Sequence, residues 1–119
     1  TVLVAEDEEV VRELVVSMLE SEGYKVLAGG SGSEVVSMLN QHQGWIDLFV
    51  TDVILPDMNG KELHEQVTVG FPALKTIFMS GYTEEIINYH GILETDVNFI
   101  QKPFTINDLA AKIHEALNQ

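Results

Sequence analysis

Trp45-Ile46-Asp47-Leu48-Phe49-Val50-Thr51-Asp52 is an apolar run that ends on a carboxylate, and Leu55-Pro56-Asp57-Met58-Asn59-Gly60 follows it as a turn. An acid at that point sits where a buried strand opens into a loop. The same design recurs along the chain. Val2-Leu3-Val4-Ala5 runs into Glu6 and Asp7, Thr76-Ile77-Phe78-Met79 into Ser80, and Val97-Asn98-Phe99-Ile100-Gln101 into Lys102. Apolar runs of strand length near 1–5, 24–28, 46–51, 74–79 and 96–101 therefore predict five strands, with segments of helical periodicity between them.

The first helical segment carries Val10, Val11, Leu14, Val15, Met18 and Leu19 at intervals of three and four, which predicts one apolar stripe against a sheet, closed by Gly23 at C′. Ser31 with Glu34 has capping-box spacing ahead of Val35, Val36 and Leu39. Asn59 can cap a third helix with Leu63 and Val67 facing inward, and Thr83 a fourth with Ile86 and Ile87. Thr105 and Asp108 open a fifth, whose Ile106, Leu109, Ala110, Ile113 and Leu117 predict a buried face. Five strands alternating with five helices predict an α/β fold: right-handed crossovers make the sheet parallel and cover both its faces. Ligands of such sheets bind outside the carboxyl ends of the strands.

At 119 residues, 45% of them hydrophobic, the chain fits one domain, residues 1–119, with a single core system. It begins with Thr1 inside a strand pattern, which suggests a domain cut from a longer protein. There is no cysteine, so disulfides and thiolate metal sites are excluded, a composition suited to a reducing compartment. The apolar runs are far shorter than the ~20 residues of a spanning helix, so no membrane contact is expected of this domain. Nineteen acids against six bases give a net charge of −13, which repels phosphate backbones and argues against direct nucleic-acid binding. The same surface attracts divalent cations.

Taken singly, the strand-end residues have plain explanations. Asp7 reads as the N-cap of the first helix, Glu6 as a solvated strand end, Asp52 as a turn former, and Ser80 and Lys102 as strand exits. Their coincidence at the ends of four strands points elsewhere. Carboxylates ~4 Å apart repel by about 4 kcal/mol at an effective dielectric of 20, so such a cluster must take up a proton or bind a cation. An all-oxygen set favours Mg²⁺ or Mn²⁺. His42, His64, His90 and His114 show no shared metal-ligand spacing, and Trp45 is expected to cover the start of the third strand.

From end to end the chain resembles the response-regulator receiver domains of two-component signalling. The matching motifs are Val2-Leu3-Val4-Ala5-Glu6-Asp7-Glu8, Val50-Thr51-Asp52-Val53-Ile54-Leu55-Pro56-Asp57-Met58-Asn59-Gly60, Met79-Ser80-Gly81-Tyr82 and Gln101-Lys102-Pro103-Phe104. Phe99–Thr105 is similar in style to receivers attached to hybrid sensor histidine kinases. The resemblance implies a doubly wound, flavodoxin-like (βα)5 sheet of order 2-1-3-4-5 in a cytoplasmic protein. It further implies that Asp52 accepts a phosphoryl group from the phosphohistidine of a histidine kinase or histidine phosphotransfer domain. Glu6, Asp7, Asp52 and the backbone carbonyl of Ile54 then hold Mg²⁺ or Mn²⁺, and Lys102, in a Lys-Pro peptide often cis in this family, contacts the phosphoryl group.

Ser80 and Phe99 match the hydroxyl and aromatic that move on phosphorylation, and the face from the fourth to the fifth helix is expected to serve partners or a homodimer. Ile54 and the Tyr82 ring are expected to flank the acceptor and restrict attacking water. Glu6 stands where aspartate is commoner, adding a methylene, and Ser80 where threonine is commoner, removing a methyl. A flavodoxin-like electron carrier would need a donor-rich loop after the first strand, where this chain has Glu6-Asp7-Glu8-Glu9. No P-loop motif follows any strand, and a haloacid-dehalogenase phosphatase would carry a second acid at Ile54. The remaining alternative is an unphosphorylated pseudo-receiver used for docking or dimerisation, a class whose members usually lack one of the acids or the lysine.

Overall fold

Alternate residues of a strand point to opposite faces of its sheet, and here both faces are apolar, so the strands read as continuous hydrophobic runs. The structure, a computed structural model, describes residues 1–42, 44–81 and 98–118. Its strands are β1 (Val2–Ala5), β2 (Val26–Gly29), β3 (Leu48–Asp52), β4 (Lys75–Ser80) and β5 (Asn98–Gln101), all parallel in the order β2-β1-β3-β4-β5. Helices α1 (Glu9–Ser21), α2 (Gly32–Gln41), α3 (Gly60–Gly70) and α4 (Ile106–Leu117) alternate with them. The expected helix after Thr83, with Tyr82 and His90, lies outside the described residues.

Val2, Val4, Leu48, Val50, Ile77 and Met79 face Val15 and Leu19 of α1 and Leu109, Ile113 and Ala116 of α4. The opposite face sets Leu3, Ala5 and Phe49 against Val35 of α2 and Leu63 and Val67 of α3. The two cores are thus separated by a one-residue phase along each strand. Deep burial of strands on both sides leaves only their carboxyl ends for polar chemistry.

The capping residues hold as expected in α2, α3 and α4. Ser31 accepts from Glu34 N, Asn59 from Glu62 N, and Thr105 and Asp108 form a reciprocal box. Gly23, at φ +92°, follows the C-cap Glu22 of α1. Four readings are corrected. The N-cap of α1 is Glu8, without a side-chain cap, so Asp7 is not spent on the helix. Val10 and Leu14 are 77% and 53% exposed, so the sheet-facing stripe of α1 narrows to Val11, Val15, Met18 and Leu19. In α4, Ile106 and Leu117 are exposed at the two ends of the helix, and Ala116 is buried instead. Trp45 is 68% exposed, its ring meeting Phe71 edge-on at 6.2 Å, and covers little of β3.

Gly60 closes the loop after β3: its N–H donates to Val53 O at 2.6 Å. A Cβ there would fall on the Asp52 carbonyl oxygen and within 3.2 Å of Val53 Cα, both backbone atoms with no easy retreat. Gly60→Ala is therefore expected to destabilise the protein by about 3 kcal/mol, read from urea unfolding. An unchanged midpoint would show that the loop tolerates the methyl.

A candidate phosphoacceptor site

The parallel register assembles the site. Ala5 pairs with Thr51, so Glu6 and Asp52 leave adjacent strands at the same level. Asp52 pairs with Met79 and Ser80 with Gln101, which brings Ser80 and then Lys102 to the same edge. Glu6, Asp52 and Ser80 are buried, whereas Asp7 is exposed. Each of Glu6, Asp7 and Asp52 offers a carboxylate oxygen within 4.8 Å of the others, the one such group of metal-capable side chains among the described residues.

Lys102 Nζ lies 2.5 Å from Asp52 Oδ1 and also pairs with Glu6 Oε1. The lysine spans β4 to reach both acids, and its backbone N–H holds Ser80 O at 2.7 Å. The Lys102–Pro103 peptide is cis. Glu6 also accepts from Glu8 N, and Arg12 Nη1 donates to Glu6 O at 3.0 Å. Sequence reasoning passed over Arg12. Its signal was available: it is the single arginine of the chain, and it stands less than one helical turn into α1 from the acidic pair.

Electrostatics divides the buried acids. Burial pushes Asp52 up, a hydrogen bond with Glu6 pushes further, and the opposing pull of Lys102 leaves it at about 8. Burial acts on Glu6 in the same direction, but hydrogen bonds from Asp52, Lys102 and Glu8 N outweigh it and hold Glu6 below the usual carboxylate range. Lys102 is lowered by burial and raised more strongly by the two acids, so it stays charged. One proton and one ammonium thus compensate the buried carboxyl pair, a strained arrangement that a dication would relieve. With oxygen donors alone and no nitrogen or sulfur, the residues fit Mg²⁺ or Mn²⁺.

Residues 2–114 match the family model of the response regulator receiver domain. The chain belongs to that family. It is 35% identical over 119 residues to the sensor kinase CckA of Brucella abortus, all of this chain but 13% of that protein, and so spans about an eighth of its length. It is 31% identical to the response regulator receiver protein CpdR of the same organism, covering 98% of this chain and 95% of CpdR. The crystal structure of the receiver domain from the hybrid histidine kinase CckA superposes with a TM-score of 0.80 at 32% identity, covering 98% of this chain and 97% of that one.

The receiver thus has the expected sheet order, and family membership implies phosphorelay signalling. Of the expected site residues, Glu6, Asp7, Asp52 and Lys102 are brought together. Ser80 lies buried at the same edge. Phe99 is buried in β5, paired in register with Phe78 of β4. Ile54 is 52% exposed after Asp52, in a bridge to Asn59. Among the described residues no helix is long and apolar enough to cross a membrane.

Proposed function

We propose that Asp52 accepts a phosphoryl group from a phosphohistidine of a histidine kinase or histidine phosphotransfer domain, with Mg²⁺ or Mn²⁺ held by Glu6, Asp7, Asp52 and the Ile54 carbonyl. The observation that carries this reading is a buried carboxyl, raised in pKa, held between a second buried acid and a lysine at the carboxyl edge of a parallel sheet. An Asp52 oxygen attacks phosphorus as the P–N bond breaks, and the imidazole keeps the electron pair and takes up a proton. The metal would supply positive charge between the carboxylates and the incoming phosphoryl oxygens. Lys102 exchanges its contact with Asp52 for a phosphoryl oxygen, and the Ser80 hydroxyl donates to another. That inward pull, with Phe99 following, biases the face that partners or a second copy read.

The donor's path is supported by the apolar surface beside the lysine. Val10 and Leu14 stand exposed on α1, and Leu14, Met18, Pro103 and Phe104 line a hollow of about 120 Å³ that reaches Lys102. Replacing both Val10 and Leu14 with Glu is expected to slow transfer from a phosphohistidine donor tenfold or more, since burying each apolar side chain contributes about 1.5–3 kcal/mol. Phosphorylation by acetyl phosphate, which needs no docking surface, should be unaffected; an equal loss with both donors would refute the docking face. The similarity to CckA supports placement in a hybrid histidine kinase, and a sequence without cysteine suits the reducing cytoplasm.

A further inference from the structure

Asp57 lies five residues past the phosphoacceptor, and its carboxylate leaves its own loop. Oδ1 accepts from Gly32 N at 2.9 Å, and Oδ2 accepts from Ser33 N at 2.9 Å and Ser33 Oγ at 2.6 Å. Those are the first two amides of α2. The third, Glu34 N, is already taken by Ser31 Oγ. The N-cap serine satisfies only one of the orphan amides of the helix, so an acceptor arriving from 25 positions away completes the helix N-terminus and at the same time ties the loop to it.

Met58 docks beside it. A Cβ on Gly32 would meet Met58 Sδ at 2.5 Å and Cε at 2.7 Å, so the missing side chain of Gly32 is the seat of the methionine. Two consecutive residues, one polar and one apolar, therefore clip the 53–59 loop onto the first turn of α2. Within the loop, Ile54 bridges Asn59 and Leu55 N donates to Met58 O, so a fixed Asp57 transmits its position to Ile54. The hydrogen bonds from Ser33 and Gly32 hold the Asp57 carboxyl at about 2, so the clip keeps its charge throughout the physiological range.

We propose that Asp57 is a positioning residue of the acidic centre: by latching the 53–59 loop to α2 it sets where the Ile54 carbonyl stands relative to Glu6, Asp7 and Asp52, and so sets affinity for the divalent ion. This rests on the metal reading of the site given above. Residues that orient ligands without touching the metal change affinity by about tenfold or more when removed.

The test is Mg²⁺ titration by calorimetry of wild type, Asp57→Ala, Asp57→Asn and Ser33→Ala, with amide hydrogen exchange at Gly32 and Ser33 on the same samples. Asp57→Ala is expected to weaken Mg²⁺ binding about tenfold and expose both amides, while its thermal unfolding remains cooperative. Asp57→Asn keeps a carbonyl acceptor and should recover part of the loss, and Ser33→Ala, which removes one bond of three, should fall between wild type and Asp57→Ala. Unchanged Mg²⁺ affinity in Asp57→Ala with both amides exposed overturns the latch. Both amides remaining protected in Asp57→Ala overturns it too, because the carboxylate would then not be their partner. A wild type that binds no Mg²⁺ refutes the metal site itself, and the latch falls with it.

Discussion

Incubated with Mg²⁺ and acetyl phosphate, the wild-type chain is expected to gain the mass of one phosphoryl group, and Asp52→Asn none. The contrast is total because the amide has nearly the carboxyl's shape but no anionic oxygen to attack phosphorus. Asp52 and Glu6 are the two buried acids of the cluster and both pair with Lys102, whereas Asp7, the exposed one, has no comparable enclosure. Lys102→Ala should keep the acceptor yet lose most of the yield, since it removes the ammonium shared by Glu6 and Asp52. A buried carboxyl pair stripped of its cation holds its proton more tightly, and a protonated Asp52 is no nucleophile. Equal mass gain on wild type and Asp52→Asn, detected by intact-protein mass spectrometry, would remove Asp52 as the acceptor.

The parts of this fold that were readable from composition and spacing are those governed by local rules. Two-sided burial writes a strand as an unbroken apolar run, and Ser31, Asn59 and Thr105 announce their helices through the amides they cap. Strand ends were less readable. Apolar runs stop at Thr51 and Met79, yet the ladder continues through Asp52 and Ser80, because backbone pairing with Met79 and Gln101 ignores side-chain polarity. That one-residue extension is what turns a turn-forming acid into a buried one.

The breadth of the α1 stripe was misread for a different reason. Periodicity shows which residues share a helix face, but how much of that face the sheet covers depends on the neighbouring segment at Pro103 and Phe104, which leaves Leu14 at the rim and Val10 beyond it. Asp57 escaped notice because an aspartate after proline is an ordinary turn residue. Its partners, Gly32 and Ser33, are distant in sequence, and nothing local marks them as its donors. The acidic centre itself was legible from residue types as a coincidence of strand ends and from the motif resemblance as a set of roles, and the observed register makes neighbours of Glu6 and Asp52.

Protons and Mg²⁺ should compete directly for Asp52. The metal needs the carboxylate, and that group, pushed up to about 8, is mostly protonated at neutral pH without a cation. Mg²⁺ affinity is therefore expected to rise about tenfold per pH unit from roughly pH 6 to 8 and then level off, with nearly one proton released per ion bound near pH 7. Stability carries the same signature. A raised folded-state pKa means the native state holds a proton that the unfolded chain has lost, so Asp52 stabilises the metal-free fold fully below its ordinary value of 3.8 and progressively less up to about 8. Glu6, lowered in the fold, acts in the other direction, but its contribution is lost only as pH falls below its ordinary 4.5, so the two windows are separate. Between about pH 5 and 8 the metal-free protein should lose on the order of a few kcal/mol, seen as a falling Tm, and saturating Mg²⁺ should abolish that slope by keeping Asp52 ionised throughout. A metal-free Tm that is flat over this range, together with a pH-independent Mg²⁺ affinity, would mean that Asp52 is already ionised and that Lys102 alone balances the pair.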